Sequence, residues 1–444
     1  MSFKIFVLFI TFPLVTIHAQ PTYYTLKQCI ETAEKNNLSI KSSELNAKIT
    51  EKSIELAKAN RLPSVSANAS QSFNVGRSLN YIDYTYTTEF NRSNNLGINA
   101  SLVLFNGNNL NHTISQQKLN NAAATYDMEK TKNDIRMSVA SAYLQLRMNK
   151  EQYKSVQVQI QNTRTQIERA EKMWQSGTAT EATVAQIKAQ LANEELSLIT
   201  VENQINTAKL QLTQLMIVPY TTDFEVDTTN ISSQVPIDTA DTQQIFEKAG
   251  QNMPQILSAD LRLHATTYAI KSSKSGFYPR LSLNSGISTL YSSLTKLPGT
   301  SVEVPFFAQL ENFASSYFTL NLSIPIYNVN QTRINVSRST INRDIALNNK
   351  AIAKNQLRQD IENAFNNYRA ADKKLNASSI QVASRKLSYD FAERRYTAGT
   401  MSNFEFINEK NNLLRAELDK IQAEYEKTFR KKMLDFYYGK PLYE

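Results

Sequence analysis

The sequence predicts a mostly α-helical chain that carries β-hairpins of membrane-crossing length and uses one structural unit twice. Three observations predict this. Glycine and proline are scarce, 10 and 11 among 444 residues, so the chain cannot consist mainly of short elements and must contain long helices. The stretch Met173–Thr180, centred on Gly177-Thr178, has a counterpart in Arg395–Ser402, centred on Gly399-Thr400, and the two glycines stand 222 residues apart, half the chain. In both halves the hydrophobic period also changes from helical to two and back to helical.

Residues 1–19 read as an export signal. Lys4 precedes an apolar run from Ile5 to Ile17, broken only by Thr11, Pro13 and Thr16, and Ala19 supplies a small residue for cleavage. The run is too short to span a bilayer comfortably, and no cysteine follows the cleavage site to carry a lipid anchor. No later stretch is apolar enough for a spanning helix, so the mature chain is expected to be exported and either soluble or a β-barrel.

The first unit covers 20–220. Leu26, Ile30 and Ala33 mark one helical stripe, and Leu45, Ile49, Leu56 and Ala59 mark the next, with a break near Asn36-Asn37 and a stop at Pro63. A β-hairpin follows within 62–105. Val65, Ala67, Ala69, Gln71, Phe73 and Val75 alternate with Ser64, Ser66, Asn68, Ser70, Ser72 and Asn74. After a polar loop, Gly76 to Asn95, the alternation resumes with Leu96, Ile98, Ala100, Leu102 and Leu104. Strands of about ten residues suit a tilted bilayer crossing. A helical pattern then runs to Gln175, with a seam of Ile135, Val139, Ala142, Leu146, Tyr153, Val156, Ile160, Ile167, Ala170 and Trp174. Asn149 and Thr163 occupy the skipped positions. Steps of four and three make this a coiled-coil seam, and at about 1.5 Å per residue the helix is on the order of 100 Å long. Beyond the tip at Gly177 a returning helix carries Val184, Ile187, Leu191, Leu198, Val201, Ile205, Ala208, Leu212 and Leu215, and ends at Pro219. Glycine accepts the left-handed conformation that stops one helix, and threonine can cap the next.

A polar linker, 221–242, leads to a second unit, 243–444, with strands expected at Leu281–Thr289 and Phe318–Ile326 in a hairpin within 279–327 and a tip near 399. Pro63 corresponds to Pro279 and Phe105-Asn106 to Tyr327-Asn328. Adding 222 to the first seam gives Leu357, Ile361, Ala364, Tyr368, Leu375, Ser378, Val382, Tyr389, Ala392 and Tyr396, nine of ten apolar or aromatic. Such agreement points to two copies of one unit. Aromatic residues gather at the strand ends, Phe105, Tyr278 and Tyr327 at one and Tyr291, Tyr317 and Phe318 at the other, as membrane-interface girdles do.

Composition narrows the function classes. The formal charge of +9 is spread among interspersed Lys, Arg, Asp and Glu, the pattern of solvated helical surfaces rather than a nucleic-acid site. Cys29 stands alone, and His18, His112 and His264 are far apart, so neither an intrachain disulfide nor a metal site is expected. The chain has no GxSxG elbow, P-loop, HExxH or Cys-His pair, so no enzyme activity and no cofactor are expected.

Four strands cannot close a barrel, and an open edge is not tolerated in lipid; other copies must complete the sheet. With its duplicated unit and paired Gly-Thr tips, the chain from about Thr25 to Leu442 resembles the TolC family of outer-membrane factors. The resemblance implies a homotrimer in which four strands per protomer build a twelve-stranded barrel in the outer membrane of a Gram-negative bacterium. A periplasmic α-helical barrel continues it. The implied function is a passive exit duct of a tripartite efflux or type I secretion system, partnered by a periplasmic adaptor and an inner-membrane transporter. Gly177, Thr178, Gly399 and Thr400 match the family's adaptor-docking tips, and Tyr396, Glu405 and Asn408 fall at its periplasmic constriction. The match departs from the family at Asn408, where the second acid is an amide, at Thr183, where an aspartate is usual, and at Met401, where an arginine is usual. A soluble exported coiled-coil scaffold bridging envelope partners is the alternative, and detergent dependence separates the two.

Overall fold

The computed structural model of the protein describes residues 23–79, 84–221, 223–227, 242–297 and 299–442. The export signal expected at 1–19 and most of the 221–242 linker lie outside the described residues. The chain forms two compact units, and each draws on both halves of the sequence. One takes Met1–Lys41, Thr131–Ala249 and Arg358–Glu444, as far as these are described; the other takes Ser42–Lys130 and Gly250–Leu357.

The second of these units holds a four-stranded antiparallel sheet and parts of several helices. Its strands are β2 (Ser64–Leu79), β3 (Tyr86–Asn106), β5 (Arg280–Ser292) and β6 (Ser315–Ser323), in the spatial order β2-β3-β5-β6. The pairings Val65↔Ala100, Ala67↔Ile98, Ile98↔Ile287, Leu102↔Leu283 and Leu283↔Leu320 put the alternating apolar positions of all four strands on one face. Ser66, Asn99, Gly286 and Tyr317 share the opposite, polar face. There the Asn99 amide donates to Asn68 Oδ1 (2.8 Å) and the Tyr317 hydroxyl donates to Asn99 Oδ1 (3.0 Å). Glycine is required at 286 because a Cβ would lie 2.9 Å from both Asn99 Oδ1 and the Ile98 carbonyl.

Two expectations about the strands need correction. Within 76–95 the residues 76–79 and 86–95 are strand rather than loop: pairing runs on through Phe73↔Arg92 and Val75↔Phe90 to Leu79↔Tyr86, so the first hairpin has strands of 16 and 21 residues. Backbone hydrogen bonds extend the ladder although Gln71, Asn94 and Arg92 interrupt the apolar face, which resumes at Phe73, Val75 and Phe90. The fourth strand ends at Ser323, which leaves Ile324 and Ile326 beyond it. Tyr291 is also no girdle residue. It is 3% exposed and packs against Phe306 (ring centroids 5.0 Å) in the short helix α7 (Phe306–Asn312) that connects β5 to β6.

Helices of this unit follow the order of the strands. The helix α2 (Leu38–Ala59) leads into β2, α3 (Asn109–Gln175) follows β3, α6 (Pro254–Lys274) precedes β5, and α8 (Gln331–Thr397) follows β6. Neighbours are tied in sequence. Asn121 of α3 donates to Ala47 O and Thr50 Oγ1 of α2 (both 3.0 Å). Asn109 of α3 donates to Ser272 O of α6 (3.0 Å), and Ser258 of α6 donates to Asp127 of α3 (2.6 Å). Lys350 of α8 pairs with Asp260 of α6, whose carboxyl it holds below the ordinary range. The stripe Leu45, Ile49, Leu56 and Ala59 of α2 is exposed rather than turned into the chain.

The other unit is helical. The helix α1 (Leu26–Asn36) begins with a capping box between Thr25 and Gln28 and buries Leu26, Cys29, Ile30 and Ala33. They pack with Val139, Tyr143 and Leu146 of α3 and with Leu212 and Met216 of the returning helix α4 (Glu181–Met216). Burial pushes the Cys29 thiol up to about 12, which makes it an inert core residue. The break at Asn37 is fixed by its side chain, which accepts from Ser39 N (2.9 Å) and donates to Leu215 O of α4 (3.2 Å). A two-residue parallel pairing of β1 (Tyr23–Tyr24) with β4 (Glu225–Val226) closes this core. Burial acts to raise the Glu225 carboxyl, but Lys150 of α3 and Lys209 of α4 (2.9 Å) outweigh it, and the net shift is downward. Of the predicted seam, Val139, Leu146, Val156, Ile160 and Ala170 on α3 and Leu357, Ile361 and Ala364 on α8 are buried. Trp174 is exposed at the tip. The helix α9 (Asn403–Tyr437) returns after α8, and α5 (Thr242–Asn252) precedes α6.

Candidate functional site: the paired helical tips

Both tips are built by the same local chemistry. At the end of α3, Gly177 N–H donates to Trp174 O (2.9 Å) and Thr178 N–H to Met173 O (2.8 Å). At the end of α8, Gly399 N–H donates to Tyr396 O (3.0 Å) and Thr400 N–H to Arg395 O (2.9 Å). This is the bonding of a left-handed helix stop, and the glycines have φ of +75° and +71°. The threonine hydroxyls reinforce it, Thr178 Oγ1 donating to Met173 O (3.0 Å) and Thr400 Oγ1 to Arg395 O (3.1 Å). The return helices start on fresh caps. Thr180 Oγ1 accepts from Thr183 N (3.3 Å), and Ser402 Oγ accepts from Glu405 N (3.2 Å). A Cβ added at either glycine would meet no atom within 4 Å, so both tips are bare of their own chain.

Directly behind the tips the two hairpins are joined. Asn403 of α9 donates to Gln186 Oε1 of α4 (3.1 Å), and Ile407 of α9 packs on Ala170, Val184 and Ile187. Tyr396 stacks flat on Phe406 (4.6 Å between centroids, 5° between planes), with Tyr389 on the same ring at 5.7 Å. Burial raises the Tyr396 phenol. The Glu405 carboxylate turns back to accept from Ser402 N (3.3 Å), completing a capping box, and stays exposed, as does Asn408. Thr183 hydrogen-bonds Thr180 within its own helix start (3.0 Å). The chain thus brings Tyr396 to Phe406 and Glu405 to Ser402, each side chain held by its own hairpin.

A second cluster was not anticipated. Lys410 of α9 and Glu194 of α4 are both 3% exposed and 3.5 Å apart. Lys410 also donates to Thr163 Oγ1 of α3, and Thr163 donates to the other Glu194 oxygen. Gln190 donates to Glu194 Oε1 (2.9 Å) and to Asn411 Oδ1 (2.7 Å), and Asn411 donates back to Gln190 Oε1 (3.2 Å). Desolvation lowers the Lys410 ammonium, partly opposed by Glu194. The signal was present in the sequence: Glu194 stands at the skipped seam position between Leu191 and Leu198, as Thr163 does on α3. Among the described residues no group of His, Cys, Asp and Glu is arranged to hold a metal, and no helix is long and apolar enough to cross a membrane.

The geometry has counterparts in known proteins. The sequence profile of the outer membrane efflux protein family matches residues 29–216 and 245–440. The outer membrane efflux protein BepC of Brucella suis is 19% identical over 402 residues, covering 90% of this chain and 82% of its own. The cation efflux system protein CusC of Escherichia coli K12 is 23% identical over 411 residues, 90% and 83% of the two chains. A crystal structure of CusC superposes with a TM-score of 0.78 at 18% identity, covering 94% of this chain and 92% of that one. The Neisseria gonorrhoeae MtrE outer membrane channel in its open state superposes at 0.72 with 17% identity, over 93% and 88%.

Proposed function

This chain belongs to the outer membrane efflux protein family, and on that premise we propose that it is the trimeric exit duct of a tripartite export system. The observation that carries this is the open sheet. Its four strands have an apolar face and a polar face, and its edge strands β2 and β6 have no further neighbour among the described residues. Such a sheet is stable in lipid only when closed by other copies. Three copies give twelve strands, with the polar face of Asn68, Asn99 and Tyr317 toward a water-filled lumen and Phe318, Leu320 and Leu322 toward lipid. The helical unit extends into the periplasm. Gly177-Thr178 and Gly399-Thr400, bare and conformationally fixed, dock a periplasmic adaptor, and an inner-membrane transporter supplies the energy. Tyr396, Glu405 and Asn408 line the periplasmic constriction, where three Glu405 carboxylates favour cations. The chain performs no chemistry and needs no cofactor. Purification in detergent followed by native mass measurement tests the reading: a trimer is expected, and a monodisperse detergent-free monomer overturns it.

A further inference from the structure

The first hairpin is longer than a membrane crossing needs. About ten residues carry a tilted strand across the hydrocarbon layer, which takes β5 from Leu281 to Tyr291. Tyr291 pairs with Asn94, and Asn94 with Gln71. Past that level β2 and β3 stay paired as far as Leu79 and Tyr86. The face that carries Ile98 and Ile287 lower down continues there as Phe73, Val75, Arg77, Tyr86, Phe90 and Arg92. Phe73 stacks on Phe90 with 5.9 Å between centroids. Phe73, Val75, Tyr86 and Phe90 are 59–86% exposed, although they stand above the hydrocarbon, and water is a poor partner for such a face.

Charge identifies a better one. The charged side chains at these positions are both arginines, while Glu89 falls in the opposite register, paired with Gly76. Both guanidinium groups rest on aromatic rings. Arg92 lies over Tyr291 (5.4 Å) and donates to its hydroxyl (3.0 Å), which itself donates to Glu303 (3.4 Å). Arg77 lies over Tyr86 (4.6 Å). A guanidinium fixed by its face keeps edge donors for a phosphate. Below the arginines the same face holds a groove of about 460 Å³, whose apolar wall includes Ala67, Ala69, Leu96, Ile98, Ile287 and Ala314. About 14 Å of strand separates Leu96 from Arg92. An apolar groove that leads up to fixed arginines suits an amphiphile with acyl chains below and phosphate above.

Resting on the outer-membrane reading, we infer that this face binds a multiply acylated, multiply phosphorylated glycolipid, the lipopolysaccharide of the outer leaflet. The helices join the sheet at its other end, before Ser64 and after Asn106, which leaves this end outermost. The depth of the two arginines selects the glycolipid. From Phe73, opposite Arg92, to Arg77 is about 14 Å of strand, or about 10 Å of height at the usual barrel tilt. A phospholipid headgroup layer is only about 5–8 Å deep, so a lipid with one phosphate reaches Arg92 and not Arg77. A phosphorylated saccharide above the acyl chains reaches both.

The test presents delipidated, detergent-purified trimer with lipopolysaccharide of defined structure and counts bound lipid by native mass spectrometry. Parallel arms use the dephosphorylated lipopolysaccharide, phosphatidylglycerol and inorganic phosphate. The phosphorylated form should bind at least tenfold more tightly than the dephosphorylated one, and inorganic phosphate should not displace it. Arg77→Gln should weaken lipopolysaccharide at least tenfold and leave phosphatidylglycerol unchanged, whereas Arg92→Gln and the groove-filling Ala69→Phe should weaken both. Arg77 and Arg92 are exposed, so trimer yield should hold in either variant. Equal binding of the two lipopolysaccharide forms, or unaltered binding by the Arg77→Gln trimer, overturns the inference. Phosphatidylglycerol bound as tightly and as sensitive to Arg77→Gln shows a general anionic interface and overturns it, as does displacement by inorganic phosphate. A trimer that binds no lipopolysaccharide overturns this inference alone, and a monodisperse detergent-free monomer overturns the proposed function with it.

Discussion

Replacing the tip glycines separates docking from folding. At Gly177 and Gly399 the backbone is left-handed, φ +75° and +71°, and a Cβ would touch nothing within 4 Å. The cost of Gly399→Ala in the free chain is therefore backbone strain alone, about 1 kcal/mol. It stays local, because α9 starts on its own Ser402–Glu405 box and α4 on Thr180. Gly399→Leu adds bulk but no intramolecular clash, so trimer yield should match wild type. If an adaptor covers the tip, the isobutyl group lies in the interface. Adaptor affinity should then fall at least tenfold, about 1.4 kcal/mol, with Gly177→Leu adding to it. Gly399→Asn, which tolerates the left-handed region, should fall between alanine and leucine if bulk decides. The assays are adaptor binding to detergent-purified protein and export in cells that lack their own channel, at matched trimer levels. Wild-type binding and export with leucine at both tips would falsify the docking role.

Three further outcomes are expected. Glu405→Gln keeps the capping box, since glutamine serves at that position; trimer yield should hold while cation selectivity and periplasmic block by divalent cations fall in planar bilayers, and unchanged currents would make Glu405 a capping residue only. Glu225→Gln should lower the stability of the helical unit by about 1–3 kcal/mol, discounted for partial exposure. The carboxyl is depressed below its ordinary 4.5, so its contribution is present above that pH and is lost as pH falls through the lower folded value; acid melts of wild type and variant should converge there, and parallel curves would remove Glu225 as the source. Lys410→Met, which strands Glu194 without its cation, should cost about 3–5 kcal/mol, whereas Lys410→Met with Glu194→Leu should recover most of it; hydrogen exchange of α4 and α9 reads both, and a double variant as unstable as the single refutes the pairing.

The parts of the fold that were legible in the sequence had one physical solution. Gly177 and Gly399 each stop a long helix, and only a left-handed residue does so compactly. The four-three seam through Val139, Leu146, Val156 and Ile160 commits α3 to bury that side. The upper part of the first hairpin was not legible, because Asn94 and Arg92, opposite Gln71 and Phe73, put polar side chains on the apolar face while backbone pairing runs on. At the tips the capping box was legible but passed over, since Ser402 followed three residues on by Glu405 is its sequence signature. Lys410 and Glu194 were hidden for a different reason. A charged side chain defaults to the surface, and only its place in the seam argues otherwise.

The stripe Leu45, Ile49 and Leu56 shows where periodicity reaches its limit. Its spacing requires a packing partner as firmly as that of Val139 and Leu146, yet the chain covers one row and leaves the other in solvent. A heptad pattern states that a face is buried; it does not state by which molecule. What assigns the partner is topology. In the sheet-bearing unit the rows that the chain fails to cover lie on α2 and α8, the two helices fused to its open strand edges, although further along α8 Leu357, Ile361 and Ala364 are buried. Unmet apolar area and unmet backbone hydrogen bonds thus fall on the same two flanks. Closure of the sheet by further copies, as proposed above, would meet both needs at once, since an open edge and an exposed apolar row are each unstable alone.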